Sequence, residues 1–142
     1  MVPLKLEHLP FDPAPRPAPI AETMRPLLNH LRVTALSCRT AARSDLFQAC
    51  AVLSTDRTVA RSAHAETLMR GLAQALGQRP VLYRPDAREV SFDEAWLARL
   101  AHSAQSGDED SFQFLIRARV PHAARRNLAF LVRAVAAEFQ PV

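Results

Sequence analysis

Apolar residues recur along most of this chain at the three- and four-residue spacing of an α-helix. From Thr23 to Arg43, the residues Met24, Leu27, Leu28, Leu31, Ala35, Cys38 and Ala42 share one stripe about 100° wide. Pro26 falls in the first turn of that helix, where its missing N–H costs nothing. Ser44-Asp45 follows as a capping or turn signal. Leu46, Phe47, Cys50 and Leu53 then predict a short second helix. A third is predicted from about Asp56 to Leu76, with Ala65, Leu68, Met69, Leu72 and Leu76 on its apolar face. Gly77 supplies a left-handed residue at its end, and Pro80 prevents continuation. Val81-Leu82-Tyr83, closed by Pro85-Asp86, reads equally as a short strand or an ordered loop.

The clearest start signal is Ser91-Phe92-Asp93-Glu94. The serine can accept from the N–H three residues on while Glu94 reaches back, a capping box. Trp96, Leu97 and Leu100 point that helix into a core, and Gly107 ends it. Asp108, Glu109 and Asp110 put negative charge at the next N-terminus, where the helix dipole favours it. Phe112, Leu115 and Ile116 form that helix's buried side. Pro121 opens the last helix, which runs to about Phe139. Its main apolar face is Ala124, Leu128, Leu131, Val132, Val135 and Phe139, while Phe130, Ala123 and Ala137 lie on the far side. A helix apolar on two faces packs between neighbours or is shared with another subunit.

Residues 1–20 follow neither period. Pro3, Pro10, Pro13, Pro15, Pro17 and Pro19 exclude helix and central strand. Asp12 to Pro19 reads as polyproline II. Leu4, Leu6, Leu9 and Phe11 leave two readings open, a solvated tail or an arm that docks on its own domain or a partner. The domain organisation expected is an extended arm over 1–20 and a single helical domain over 21–142. The fold class expected is all-α, an irregular or orthogonal bundle of five or six helices, with a short extended segment near 81–83.

Composition agrees. The 142 residues are 49% hydrophobic and 23% charged, ordinary for a globular chain and unlike a disordered one. Alanine, leucine and arginine dominate, and all are good helix formers. Formal net charge is +4 and the pI about 10.0. Lys5 is the only lysine. Arginine-for-lysine bias of this kind is what GC-rich codons produce, which points to a bacterial source before it points to a function. The charge is segregated: five arginines against Glu22 between Arg16 and Arg43, seven acids against two arginines between Asp86 and Asp110, then five arginines against Glu138. A basic–acidic–basic order favours pairing within or between chains as much as an outside polyanion.

The candidate polyanion-binding residues are Arg25, Arg32, Arg39 and Arg43 on the first helix, with Arg125, Arg126 and Arg133 near His122 on the last. Such stripes are either a solvated face or a phosphate-tracking surface. Ser111 to Arg133 can be read as a helix-turn-helix, with Arg125, Arg126 and Asn127 opening the second helix. Its turn lacks the usual glycine, Arg125 stands where an apolar residue belongs, and Leu115 is large for a helix crossing.

Catalytic chemistry finds little support. His64-Ala65-Glu66 matches only the start of the zinc-deaminase signature, since Cys38 and Cys50 both lie upstream of it. No H-E-x-x-H, C-x-x-C, Walker loop, G-x-G-x-x-G or Glu-x-x-His pair occurs. No catalytic residue, metal or cofactor is therefore expected. Cys38 lies on an apolar stripe and reads as a structural thiol. No secretory h-region and no spanning segment is read, so the expected location is cytoplasmic, with reduced thiols. The leading expectation is a non-enzymatic adaptor or regulator that binds a protein partner or itself as a homodimer, through Leu4, Leu6, Phe11 and Phe130. The alternative is a nucleic-acid-binding regulator using 111–133. No membrane association is expected.

Overall fold

A computed structural model describes residues 20–40 and 57–140. Among them the chain is all-helical, without strands. The elements are α1 (Ile20–Thr23), α2 (Arg25–Thr40), α3 (Arg57–Leu76), α4 (Phe92–Ser106), α5 (Glu109–Arg119) and α6 (His122–Glu138). The helix predicted around 46–53 and the proline-rich arm lie outside the described residues.

The first helix differs from the one that the periodicity predicts from Thr23. It begins at Ile20, and a turn at Met24 divides it into α1 and α2. The ladder survives on either side, with Met24 N–H donating to Ile20 C=O and Leu28 N–H to Met24 C=O, both at 2.9 Å. Pro26 has no N–H to give the carbonyl four residues back, and the two helices part there.

The helices bundle because each has one apolar side. α6 lies along α3 and α4; α2 packs on α3, and α5 on α4. Leu28 and Leu31 of α2, Leu68 and Leu72 of α3, Leu97 and Leu100 of α4, Phe112 and Ile116 of α5, and Val132 and Val135 of α6 are all buried in one core. Trp96 joins them and donates its indole N–H to the Leu115 carbonyl at 3.0 Å. Cys38 is only half-buried, a free thiol at the edge of its stripe.

Helix ends follow the chemistry of their residues. The Ser91 hydroxyl accepts from Glu94 N–H, and the Glu94 carboxylate accepts from Ser91 N–H, each at 3.0 Å. Gly107 closes α4 at φ 74°, a left-handed conformation that side chains with a Cβ resist. Asp108 caps α5, accepting from Ser111 N–H at 3.1 Å. α6 alone among these three starts on a proline, with no side-chain cap and no acid in its first turn.

Between α3 and α4, residues 77–91 run without regular structure. The Val81–Tyr83 stretch is an ordered loop rather than a strand. Two of its amides are taken by carboxylates on α4: Val81 N–H donates to Asp93 at 2.6 Å and Tyr83 N–H to Glu94 at 3.0 Å. The Ser91 hydroxyl donates to the Val81 carbonyl. Arg84 to Ala87 form a turn closed at 3.1 Å, with Pro85 second and Asp86 third at φ 67°. That is a type II arrangement, whose third position normally holds glycine or asparagine.

Candidate interaction surface

The most buried charges in the molecule sit where α2, α4 and the 77–91 loop meet. Arg32 is 1% exposed and Glu94 is 0% exposed. Arg32 Nε donates to Glu94 Oε2 at 2.6 Å and Nη2 to Oε1 at 3.0 Å, a two-pronged pair. Its remaining donors go to Asn29 Oδ1 and to the carbonyls of Ala87 and Glu89. All five guanidinium hydrogens thus have partners. Glu94 accepts the Ser91 and Tyr83 amides as well. Burial alone would raise the Glu94 carboxyl. The hydrogen bonds from Arg32, Ser91 and Tyr83 and the Arg32 charge outweigh burial and hold it below the ordinary carboxylate range. This pair is a clamp that satisfies a long loop's backbone from inside the protein.

Arg25 extends the clamp outward. It donates to the carbonyls of Ala87 at 2.9 Å and Arg88 at 3.3 Å and pairs with Glu22 at 2.8 Å. Its hydrogen bond and charge lower the Glu22 carboxyl. The stripe expected over Arg25, Arg32, Arg39 and Arg43 is therefore not an open cationic face where it is described. Arg32 lies inside, and Arg25 is occupied by loop carbonyls and Glu22. The side chain of Arg39 and the whole of Arg43 lie outside the described residues, as do Leu4, Leu6 and Phe11.

The outer face of α6 is open. Phe130 is 64% exposed at its middle. Ala123, Arg126, Asn127, Arg133 and Ala137 are exposed along the same side of the helix. The His64 ring meets Phe130 edge-on at 6.5 Å between centroids, and its Nδ1 lies 3.2 Å from Glu138. Arg133 pairs with Glu109 at 2.5 Å, and its guanidinium lies 4.4 Å from the centre of the Phe112 ring. Arg125 is half-buried, its Nε bonded to the Val120 carbonyl at 2.8 Å. It therefore braces the α5–α6 joint, which explains an arginine where the helix-turn-helix pattern wants an apolar residue. Of the three arginines named on α6, Arg126 and Arg133 are exposed, and Arg133 is shared with Glu109.

Two further exposed aromatics were not singled out from the sequence. Phe92 is 75% and Phe114 72% exposed. Arg119 stands 5.2 Å from the Phe92 ring and 4.8 Å from Trp96, and pairs with Asp93 at 2.8 Å. The signal for Phe114 was available, since it falls off the Phe112–Ile116 face. His64 and Glu66 do not act together: Glu66 pairs with Arg70 at 2.8 Å. Among the described residues no group of three or more His, Cys, Asp or Glu could hold a metal ion. No helix among them is long and apolar enough to cross a membrane.

Compared with protein-family models, curated proteins and solved structures, the chain matches none.

Proposed function

We propose that this chain is a non-enzymatic helical interaction protein, an adaptor or regulator, that self-associates through the outer face of α6. One observation carries this reading. Phe130 is 64% exposed midway along a helix whose opposite side is core. Ala123 and Ala137 stand two turns before and after it. A lone exposed phenylalanine is ordinary. One flanked by alanines leaves room for a second helix to approach and cover the ring, worth roughly 1.5–3 kcal/mol per ring buried. The proposed setting is the cytoplasm, where a thiol such as Cys38 stays reduced. Sedimentation velocity across roughly a hundredfold range of concentration tests it. The parent chain is expected as a dimer and Phe130→Asp as a monomer of unchanged helix content. A parent chain that stays monomeric throughout overturns the reading.

A second reading has its own observation. From His122 to Ala137 α6 has no carboxylate, and Arg126, Asn127 and Arg133 are exposed on it. This is the face a nucleic-acid-binding regulator would present to a phosphate backbone. Arg126→Ala with Arg133→Ala would then abolish binding to a duplex or single-stranded oligonucleotide while the fold persists. Arg125 is the wrong residue for that test, because its loss also loosens the Val120 joint.

A further inference from the structure

We propose that the Val81–Tyr83 stretch is a docking edge, and that its occupant is residues 1–19 of the same chain. The stretch is extended and two-sided. Val81 and Tyr83 turn their N–H groups inward to Asp93 and Glu94. Their side chains face out, 56% and 40% exposed, while Leu82 packs its side chain against the core. In extended backbone, the polar groups of successive residues point to opposite edges. The Leu82 N–H and C=O therefore face away from α4. Among the described residues nothing bonds to either one. Such an edge is completed by adding another extended segment. Beside it Tyr83, Arg84, Ala87 and Glu89 line an open concavity of about 420 Å³.

The occupant follows from where the described chain starts. Ile20 opens α1, and nineteen residues precede it. Two residues on, Glu22 is tied through Arg25 to the Ala87 and Arg88 carbonyls of this same loop. The preceding segment thus departs beside the Ala87–Arg88 limb of the loop that carries this edge. At about 3.1 Å per residue in extended form, nineteen residues reach across it with length to spare. The chemistry matches as well. Leu4-Lys5-Leu6-Glu7 alternates apolar and charged residues with no proline, so its amides are available for pairing. Lys5 and Glu7 on one side complement Glu89 and Arg84.

Amide hydrogen exchange on the full chain, read residue by residue by NMR, tests this. Leu82 N–H is expected to exchange about tenfold or more slowly than an open amide, independent of protein concentration. Leu4→Ser with Leu6→Ser is expected to return Leu82 to the open rate. Val81 and Tyr83 stay protected in that variant and show that the loop is intact. Exchange of Leu82 at the open rate in the parent chain overturns the proposal. Protection that survives the double substitution, or that grows with concentration, overturns the assignment of the occupant.

Discussion

Arg32 shows what a single residue type hides. Its place in the sequence, four after Leu28, sets it at the rim of the apolar stripe, while its charge by itself points to solvent or to a polyanion. The partner that brings it inside, Glu94, is 62 positions away, and no local pattern encodes that meeting. The sequence did mark Glu94 as half of a capping box, but one carboxylate here serves a cap, a loop amide and an arginine at once. Removing one partner leaves the other charge buried and uncompensated. Glu94→Gln is therefore expected to lose about 3–5 kcal/mol in urea unfolding. The dependence on pH has a definite sign. The folded Glu94 carboxyl is held below its unfolded value of 4.5, so its contribution is present above that pH and is lost as pH falls through the folded value. The stability gap between parent and Glu94→Gln should stay flat from neutral pH down to about 5 and close below that. Glu22 and Asp108 are lowered too, but both chains carry them, so their titration cancels in the gap. A gap that widens on acidification would contradict the assignment.

At the scale of elements, what local chemistry decides was readable. The Ser91–Glu94 box, the stop at Gly107 and the acids opening α5 each act within one turn, and each stands where the sequence placed it. The break at Met24 was less readable, because Pro26 is tolerated in a first turn and breaks a ladder only when the helix begins a turn earlier. The 77–91 loop was ambiguous for a deeper reason. Val81-Leu82-Tyr83 has strand-like residues, but pairing needs a neighbouring strand, and among the described residues the stretch meets carboxylates on α4 instead. Ser91 joins the two descriptions, since its hydroxyl caps α4 and also donates to the Val81 carbonyl. Ser91→Ala should cost about 1–2 kcal/mol, at the upper end for a cap because two bonds go together. It should also loosen the loop, seen as faster exchange of the Val81 and Tyr83 amides. Loss of stability with loop protection unchanged would mean that the cap alone matters.

At the scale of the molecule, the segregated charge is spent largely on the protein itself. The acidic middle reaches both basic flanks: Glu94 takes Arg32 from one side, and Asp93 and Glu109 take Arg119 and Arg133 from the other. Each such pair removes one cation and one anion, so the net charge stays at +4 while the basic flanks have fewer arginines free for a partner. On α6 this leaves an exposed phenylalanine beside Arg126 and an Arg133 already shared with Glu109. The two functional readings consequently separate by salt. Burial of Phe130 between two copies is apolar and should hold from about 50 to 500 mM salt, or tighten slightly as the like charges of Arg126 across the interface are screened. Phosphate binding by the same face should instead weaken steeply over that range, by about one power of salt for each arginine engaged. Sedimentation of the chain with and without a labelled duplex, at both ends of the range, measures both at once. A dimer insensitive to salt, with the duplex unbound, assigns the face to a second copy. A monomer that binds the duplex only at low salt assigns it to nucleic acid and leaves Phe130 as a contact with that duplex.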